Sequence, residues 1–170
     1  MLYYVSIILQ RNEVNPTEKK GIKIAAQNRN AHHDYFVEDR YEAGIELAGT
    51  EVKSIRAGTL NLKDSYCTVK DGELFVHSLH ISPYEKGNIF NKDPVRTRKL
   101  LMHKREIRKL HALIKQDGYT LVPLSVYFKD SRVKVEIGLC KGKKNYDKRE
   151  STAKRDAKRE IDRTMKERNR

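Results

Sequence analysis

Residues 65–81, SYCTVKDGELFVHSLHI, decide the fold. Two runs rich in strand-forming residues meet at Asp71-Gly72. A two-residue loop between strands needs positive φ at its centre, which glycine reaches freely and aspartate tolerates, so the stretch predicts a β-hairpin. Upstream, Ile45 and Leu47 alternate with polar neighbours in GIELAG (44–49), a strand closed by Gly49. Tyr35-Phe36-Val37 makes another short strand before a run ending in acids. In between, Val52 and Ile55 stand three apart and predict a helical turn ahead of Gly58.

Downstream, residues 82–99 (SPYEKGNIFNKDPVRTRK) read as a long, polar, basic loop. Loops of this length inside compact domains tend to carry function. After Pro94 the apolar period changes. Leu100, Ile107, Leu110, His111 and Ile114 recur at three- and four-residue steps until Asp117-Gly118, which predicts an amphipathic helix over residues 96–116. YTLVPLSVYF and RVKVEIGLC then read as strands joined at Lys129-Asp130-Ser131. Val133, Val135, Ile137 and Leu139 take one face; Arg132, Lys134 and Glu136 take the other. Short strands with one long helix predict a mainly β fold: a small closed antiparallel OB-like β-barrel with packed helices.

The chain has 170 residues, enough for one compact domain with an extension. Lys and Arg number 36 against 23 acids, a net charge of +13. Residues 141–170 hold 13 of those cations and only 6 acids, so over half the excess sits in the last thirty residues. A field so concentrated points to a polyanionic partner, nucleic acid before an anionic membrane surface. No apolar run approaches the roughly 18–20 residues of a membrane span. MLYYVSIILQ is too short to span and has neither preceding cations nor a clean cleavage site, so it does not read as a signal peptide. Cys67 and Cys140 form no CxxC pair and fit a reducing cytosol, so the expected location is cytoplasmic. The expected division is an N-terminal appendage over 1–21, a domain over 22–140 and a basic tail over 141–170.

In the tail the only apolar groups are Tyr146, Ala153, Ala157, Ile161 and Met165, the last four spaced by four. Such a stripe is too narrow to bury against a core. Asp147 with Glu150 resembles a capping box, and Glu150–Lys154 and Asp162–Lys166 are favourable pairs, each worth only about 0.2–0.5 kcal/mol. Backbone entropy outweighs these gains, which predicts a tail disordered when free and helical when a partner supplies a surface.

Six histidines raise metal and acid–base readings. His77 and His80, three apart on a predicted strand, face opposite sides; His103 and His111 have no carboxylate at ligand spacing, so no metal is expected. His32-His33 beside basic residues leaves a basic ribonuclease as an alternative, and a general single-strand RNA-binding barrel is another. There is no GxSxG, Walker loop or GxGxxG, and no cofactor is implied. Arg96, Arg98, Lys99, Lys104 and Arg105 crowd one edge, which reads as phosphate-contacting. KGKKNYDKRE (141–150) brackets one aromatic with cations, a combination suited to following a nucleic-acid backbone and stacking a base.

GIELAGTEVKSIRAGTLNLKDSYC, DPVRTRKLLMHKREI and KGKKNYDKRE together resemble the SsrA-binding protein (small protein B) family of bacterial trans-translation. The likeness runs from Ile22 to the C-terminus, with three separated motifs in order. It implies a non-enzymatic adaptor whose oligonucleotide-binding barrel holds the tRNA-like domain of transfer-messenger RNA (tmRNA). It also implies a tail that enters the empty mRNA channel of a stalled ribosome. By the resemblance, Asn28, Glu42, Leu101 and Lys134 fall on RNA-binding positions. Gly142, Asp147, Lys148 and Arg149 fall on tail positions needed for accommodation. Tyr146 stands where some members carry His, which keeps a flat ring for stacking. Residues 1–21 match no family counterpart, so a misplaced start at Met1 is one reading of them. A monomer with tmRNA and the ribosome as partners is expected, and no membrane.

Overall fold

The computed structural model describes residues 21–168, without the side chains of Asn145, Tyr146, Ser151 and Arg168. Apart from Gly21, the appendage read over residues 1–21 lies outside the described residues. The chain runs β1 (Ile22–Gln27), α1 (Ala31–Asp34), β2 (Tyr35–Ile45), α2 (Gly49–Arg56), β3 (Leu60–Asn61), β4 (Tyr66–Lys70), β5 (Glu73–His77) and β6 (His80–Ile81). A short 3₁₀ turn at Asn88–Phe90 precedes β7 (Arg98–Leu101), α3 (Lys104–Asp117), β8 (Thr120–Lys129), β9 (Arg132–Gly142) and α4 (Asn145–Arg168).

The predicted hairpin is present: Asp71 and Gly72 sit at φ 52° and 73° and turn β4 into β5. Asp130 and Ser131 repeat that geometry at φ 49° and 63° with no glycine, turning β8 into β9. From this pair of hairpins the strands follow a ring, β8-β4-β5-β7-β2-β9, in which β9 pairs back to β8. The seam between β4 and β8 is a single residue pair, Cys67 opposite Leu121, because β1 occupies the far end of the same edge of β8. This mainly β ring with packed helices is the coarse architecture the sequence predicts.

The ring encloses one core, including Leu74, Val76, Leu100, Leu110, Leu121 and Ile137. A second, smaller cluster of Ala31, Val122, Leu124 and Cys140 lies beneath α1. Strand β8 therefore buries side chains on both faces, which is why Leu121–Val126 reads as a nearly unbroken apolar run.

Four elements differ from the sequence reading. Tyr35–Val37 runs on to Ile45 as one strand, β2, so the strand expected in 44–49 supplies only Gly44 and Ile45, and Gly49 opens α2 instead of closing a strand. The polar Glu38–Asp39–Arg40 centre of β2 is held extended by a long ladder with β9, bulged between Val37 and Asp39. IKIAAQ (22–27), whose basic and amide-rich surroundings over 22–30 predict no element, is a strand on the edge of β8. The stretch ELFVHSLHI breaks at Ser78 (φ 55°), after which His80–Ile81 leaves the hairpin to pair with β3. The long helix begins at Lys104 rather than residue 96, because Arg98 and Leu100 alternate into the core as strand β7. Its stop is as predicted, with Gly118 left-handed at φ 65°.

In the tail, residues 145–168 form one helix. Asp147 sits inside its first turn and accepts the Lys144 amide at 3.1 Å, so Asp147 closes the helix start backward instead of pairing forward with Glu150. Glu150–Lys154 pair at 2.6 Å, and the abundant Ala, Lys, Arg and Glu have high helix propensity. The Ala153–Ala157–Ile161–Met165 stripe stays exposed. Among the described residues, no helix is long and apolar enough to cross a membrane.

Candidate nucleic-acid interface

On the outer face of the ring, three strands bring the predicted residues Glu42, Lys134 and Leu101 together. Gly44 on β2 lies opposite Lys134 of β9 on one side and Leu101 of β7 on the other. A Cβ on Gly44 would stand 3.3 Å from the Leu101 Cβ, so glycine gives Leu101 room to lie against the strand while 53% exposed. Two residues earlier on the same face, Glu42 accepts the Tyr127 hydroxyl at 2.5 Å and the Lys129 ammonium at 3.2 Å, with Lys134 at 3.9 Å. The Tyr127 hydroxyl, with help from Lys129, outweighs an opposing desolvation and holds the Glu42 carboxyl below its ordinary value. Burial and the Glu42 carboxylate push the Tyr127 phenol up, so it remains a hydrogen-bond donor. One acid thus organises an amphipathic ring and two cations on an open surface.

Tyr127 and Lys129 were not singled out from the sequence. Their alternation with Val126 and Phe128 places them on the outer face of β8, but only the register, Tyr127 opposite Lys134, brings them to Glu42.

Asn28 lies elsewhere, at the end of β1. Its amide nitrogen donates to the Pro123 carbonyl at 3.2 Å and the Leu62 carbonyl at 3.4 Å, and its Oδ1 accepts the Ala31 amide at 3.2 Å. These bonds tie the start of α1 to β8 and to the β3–β4 connection. The residue lines a concavity with Asn30, Asp34, Lys63 and Tyr66, separate from the Glu42 cluster.

The phosphate-contacting edge expected within residues 92–105 is taken apart. Arg98 is wholly buried, donating to Glu51 at 2.8 Å and to the carbonyls of Leu79, Pro94 and Arg96. Arg96 takes the other oxygen of Glu51 at 2.7 Å. Burial pushes Glu51 up, but Arg96, the Ala48 amide and Arg98 outweigh it and hold the carboxyl below its usual value. Lys99 pairs with Glu73 at 2.5 Å. Arg98 faces inward because the strand period places it with Leu100, and these pairs satisfy its charge. Lys104 and Arg105 remain exposed at the start of α3.

The tail residues meet the domain at α1. Gly142 is the last residue of β9, opposite Tyr35. The Lys143 amide donates to the Asp34 carbonyl at 2.9 Å; its ammonium donates to the His32 carbonyl at 2.9 Å and lies 4.8 Å from the Phe36 ring centre. One Asp34 oxygen lies 3.0 Å from His33 Nδ1 and 3.1 Å from the Lys148 ammonium. The His33 hydrogen bond, then Lys148, lowers the Asp34 carboxyl. Asp147 is partly covered and Arg149 is exposed, while the side chain of Tyr146 lies outside the described residues. Asp34 thus fastens the first turn of α4 to the domain and engages the His33 ring in the same contact. Partial burial, followed by the Arg40 charge, disfavours a charged His32 ring. No group of three or more His, Cys, Asp or Glu side chains suited to a metal occurs among the described residues.

A small β-ring with an outer cationic surface organised around one carboxylate, extended by a basic helical arm, defines the class: a compact polyanion-binding domain. The family model described as SmpB protein matches residues 25–167. The chain belongs to that family. It is 65% identical over 149 residues to the SsrA-binding protein of Acetivibrio thermocellus, spanning 88% of this chain and 97% of that protein. To the SsrA-binding protein of Clostridium botulinum it is 62% identical over 154 residues, 91% of this chain and 99% of that one. A solved structure described as "tmRNA-SmpB: a journey to the center of the bacterial ribosome" superposes with a TM-score of 0.61 at 51% identity, over 71% of this chain and 85% of its own.

Proposed function

We propose that this protein is the RNA-binding adaptor of trans-translation: it binds the tRNA-like domain of tmRNA and delivers it to stalled ribosomes. The observation that carries this reading is the 65% identity over nearly the whole length of a protein named for binding SsrA RNA. The geometry supports it. Glu42, Lys134 and Leu101 share one outer face, where Lys129 and Tyr127 supply a phosphate partner and a ring suited to an unpaired base. Glu42 acts by holding those two side chains, and Asn28 by setting the path from β1 into α1.

In this reading the strand ring is an OB-like closed barrel, and residues 22–140 form the RNA-binding domain with 141–170 as a separate tail. Gly142, Tyr146, Asp147, Lys148 and Arg149 serve the tail, which probes the vacant mRNA channel as a helix; an intact mRNA excludes it sterically and electrostatically. The protein works in the cytosol as a monomer, by binding and without catalysis. Competition at fixed salt between tmRNA and bulk tRNA tests the reading. A clear preference for tmRNA is expected, and equal competition by tRNA would replace the adaptor with a general RNA-binding barrel.

A further inference from the structure

Several cations are matched by acids. Arg96 and Arg98 share Glu51, Lys99 has Glu73, Lys129 and Lys134 have Glu42, and Lys148 has Asp34. Helix α3 gathers on one face a group that is not. Its inner face buries Ile107 and Leu110, and its outer face carries Lys104, Arg105, Arg108, Lys109 and Lys115, all exposed. None of these five forms an ion pair among the described residues.

Their spacing makes two adjacent rows. Lys104, Arg108, His111 and Lys115 follow one line at steps of four, three and four; Arg105, Lys109, Ala112 and Gln116 follow the next. At 1.5 Å per residue each row is about 16 Å long. Lys104 with Arg108, and Arg105 with Lys109, are like charges one turn apart, an arrangement that weakens a free helix. An extended anion laid along the rows would remove that repulsion. Ala112, exposed between the cations, leaves space for it to approach.

From these observations we propose that the outer face of α3 is a second RNA-binding surface, which grips the sugar-phosphate backbone of a double-helical RNA segment. This rests on the reading of the protein as an RNA binder and adds a contact that does not involve Glu42, Lys134 or Asn28. The face has no exposed aromatic ring to stack an unpaired base, and its cations are laid out in straight rows, which favours a regular backbone over a looped single strand.

The test uses the full chain, a 16-base-pair RNA duplex of mixed sequence and a single-stranded RNA of equal charge. The variant K104Q/R105Q/R108Q/K109Q/K115Q changes only exposed side chains. A control, K154Q/R155Q/K158Q/R159Q/R163Q, removes equal charge from α4. The α3 variant is expected to bind the duplex at least tenfold more weakly. Its log K against log salt slope should be shallower by about 3, for three or four lost phosphate contacts at about 0.9 each. The control should lose markedly less, and replacing the three α3 lysines by arginine should preserve binding. Equal losses in the α3 variant and the control, or equal losses for duplex and single strand, would overturn the proposal. So would unchanged duplex binding by a folded α3 variant. If the unmodified chain prefers tmRNA while the α3 variant binds duplex normally, this inference fails and the proposed function stands; if the unmodified chain binds no RNA, both fail.

Discussion

Replacing Glu42 by alanine sets two opposed effects against each other. The change removes a negative charge from a surface expected to meet phosphates. A carboxylate about 10 Å from a phosphate in water repels it by about 0.4 kcal/mol before salt screening, so charge removal alone would tighten binding by no more than about twofold. The change also removes the acceptor that holds Tyr127 at 2.5 Å and Lys129 at 3.2 Å, with Lys134 beyond them at 3.9 Å. These groups are partly exposed, so each pair is worth about 0.2–1 kcal/mol and the total loss of stability is about 1 kcal/mol. For a chain of this size that lowers Tm by about 2–4 °C. Loss of orientation at two contact residues should weaken tmRNA binding about tenfold, near 1.4 kcal/mol. Organisation therefore outweighs charge. Glu42→Gln keeps an acceptor for Tyr127 and should fall between wild type and alanine. The Glu42 carboxyl is lowered in the folded protein, so its stabilising contribution is present above the ordinary carboxylate pKa and is lost as pH falls through the folded value. The assay is equilibrium binding of labelled tmRNA at fixed salt, with thermal melts. Glu42→Ala binding as tightly as wild type, or more tightly, would refute the organising role.

Arg98→Ala should cost about 3 kcal/mol in denaturant titration, because a buried ion pair loses one partner while Arg96 still holds Glu51; a loss below 1 kcal/mol would show that the buried network contributes little. Asp34→Ala should release the first turn of α4 and speed limited proteolysis around residues 143–148 several-fold, with domain stability nearly unchanged. An unaltered cleavage rate would mean that the Lys143 contacts suffice. Because Asp34 is also lowered, wild-type protection there should be lost as pH falls through the folded Asp34 value, below the ordinary Asp range. Ala157→Pro, at about 3 kcal/mol for a helix interior, should reduce helical circular dichroism and tagging on stalled ribosomes while leaving tmRNA affinity intact. Tagging at the normal rate would mean that the tail acts as an unstructured polycation.

The elements legible in the sequence were those fixed by short-range chemistry. Asp71-Gly72 and Gly118 require positive φ, and the alternation of Val133–Leu139 requires one buried face. What was not legible depends on partners distant in sequence. The polar centre of β2 is a strand only because β9 lies beside it along its length. Arg98 belongs to a basic run in sequence, yet its guanidinium is spent on Glu51, 47 residues away. Tyr127 and Lys129 join the candidate surface through a cross-strand register, and the resemblance that named Glu42 and Lys134 carried no information about them. The resemblance names Asn28 as an RNA-binding position, while its bonds give it a structural part that residue type alone does not disclose.

The central claim is that tmRNA is the RNA this protein selects. The most direct measurement is to isolate the full chain from native extract at moderate salt and sequence the RNA that accompanies it. The account predicts tmRNA as the dominant species, enriched far above its share of total RNA, and displaced when tmRNA is added in excess. RNA recovered in proportion to its abundance, with tRNA and ribosomal fragments leading, would contradict it.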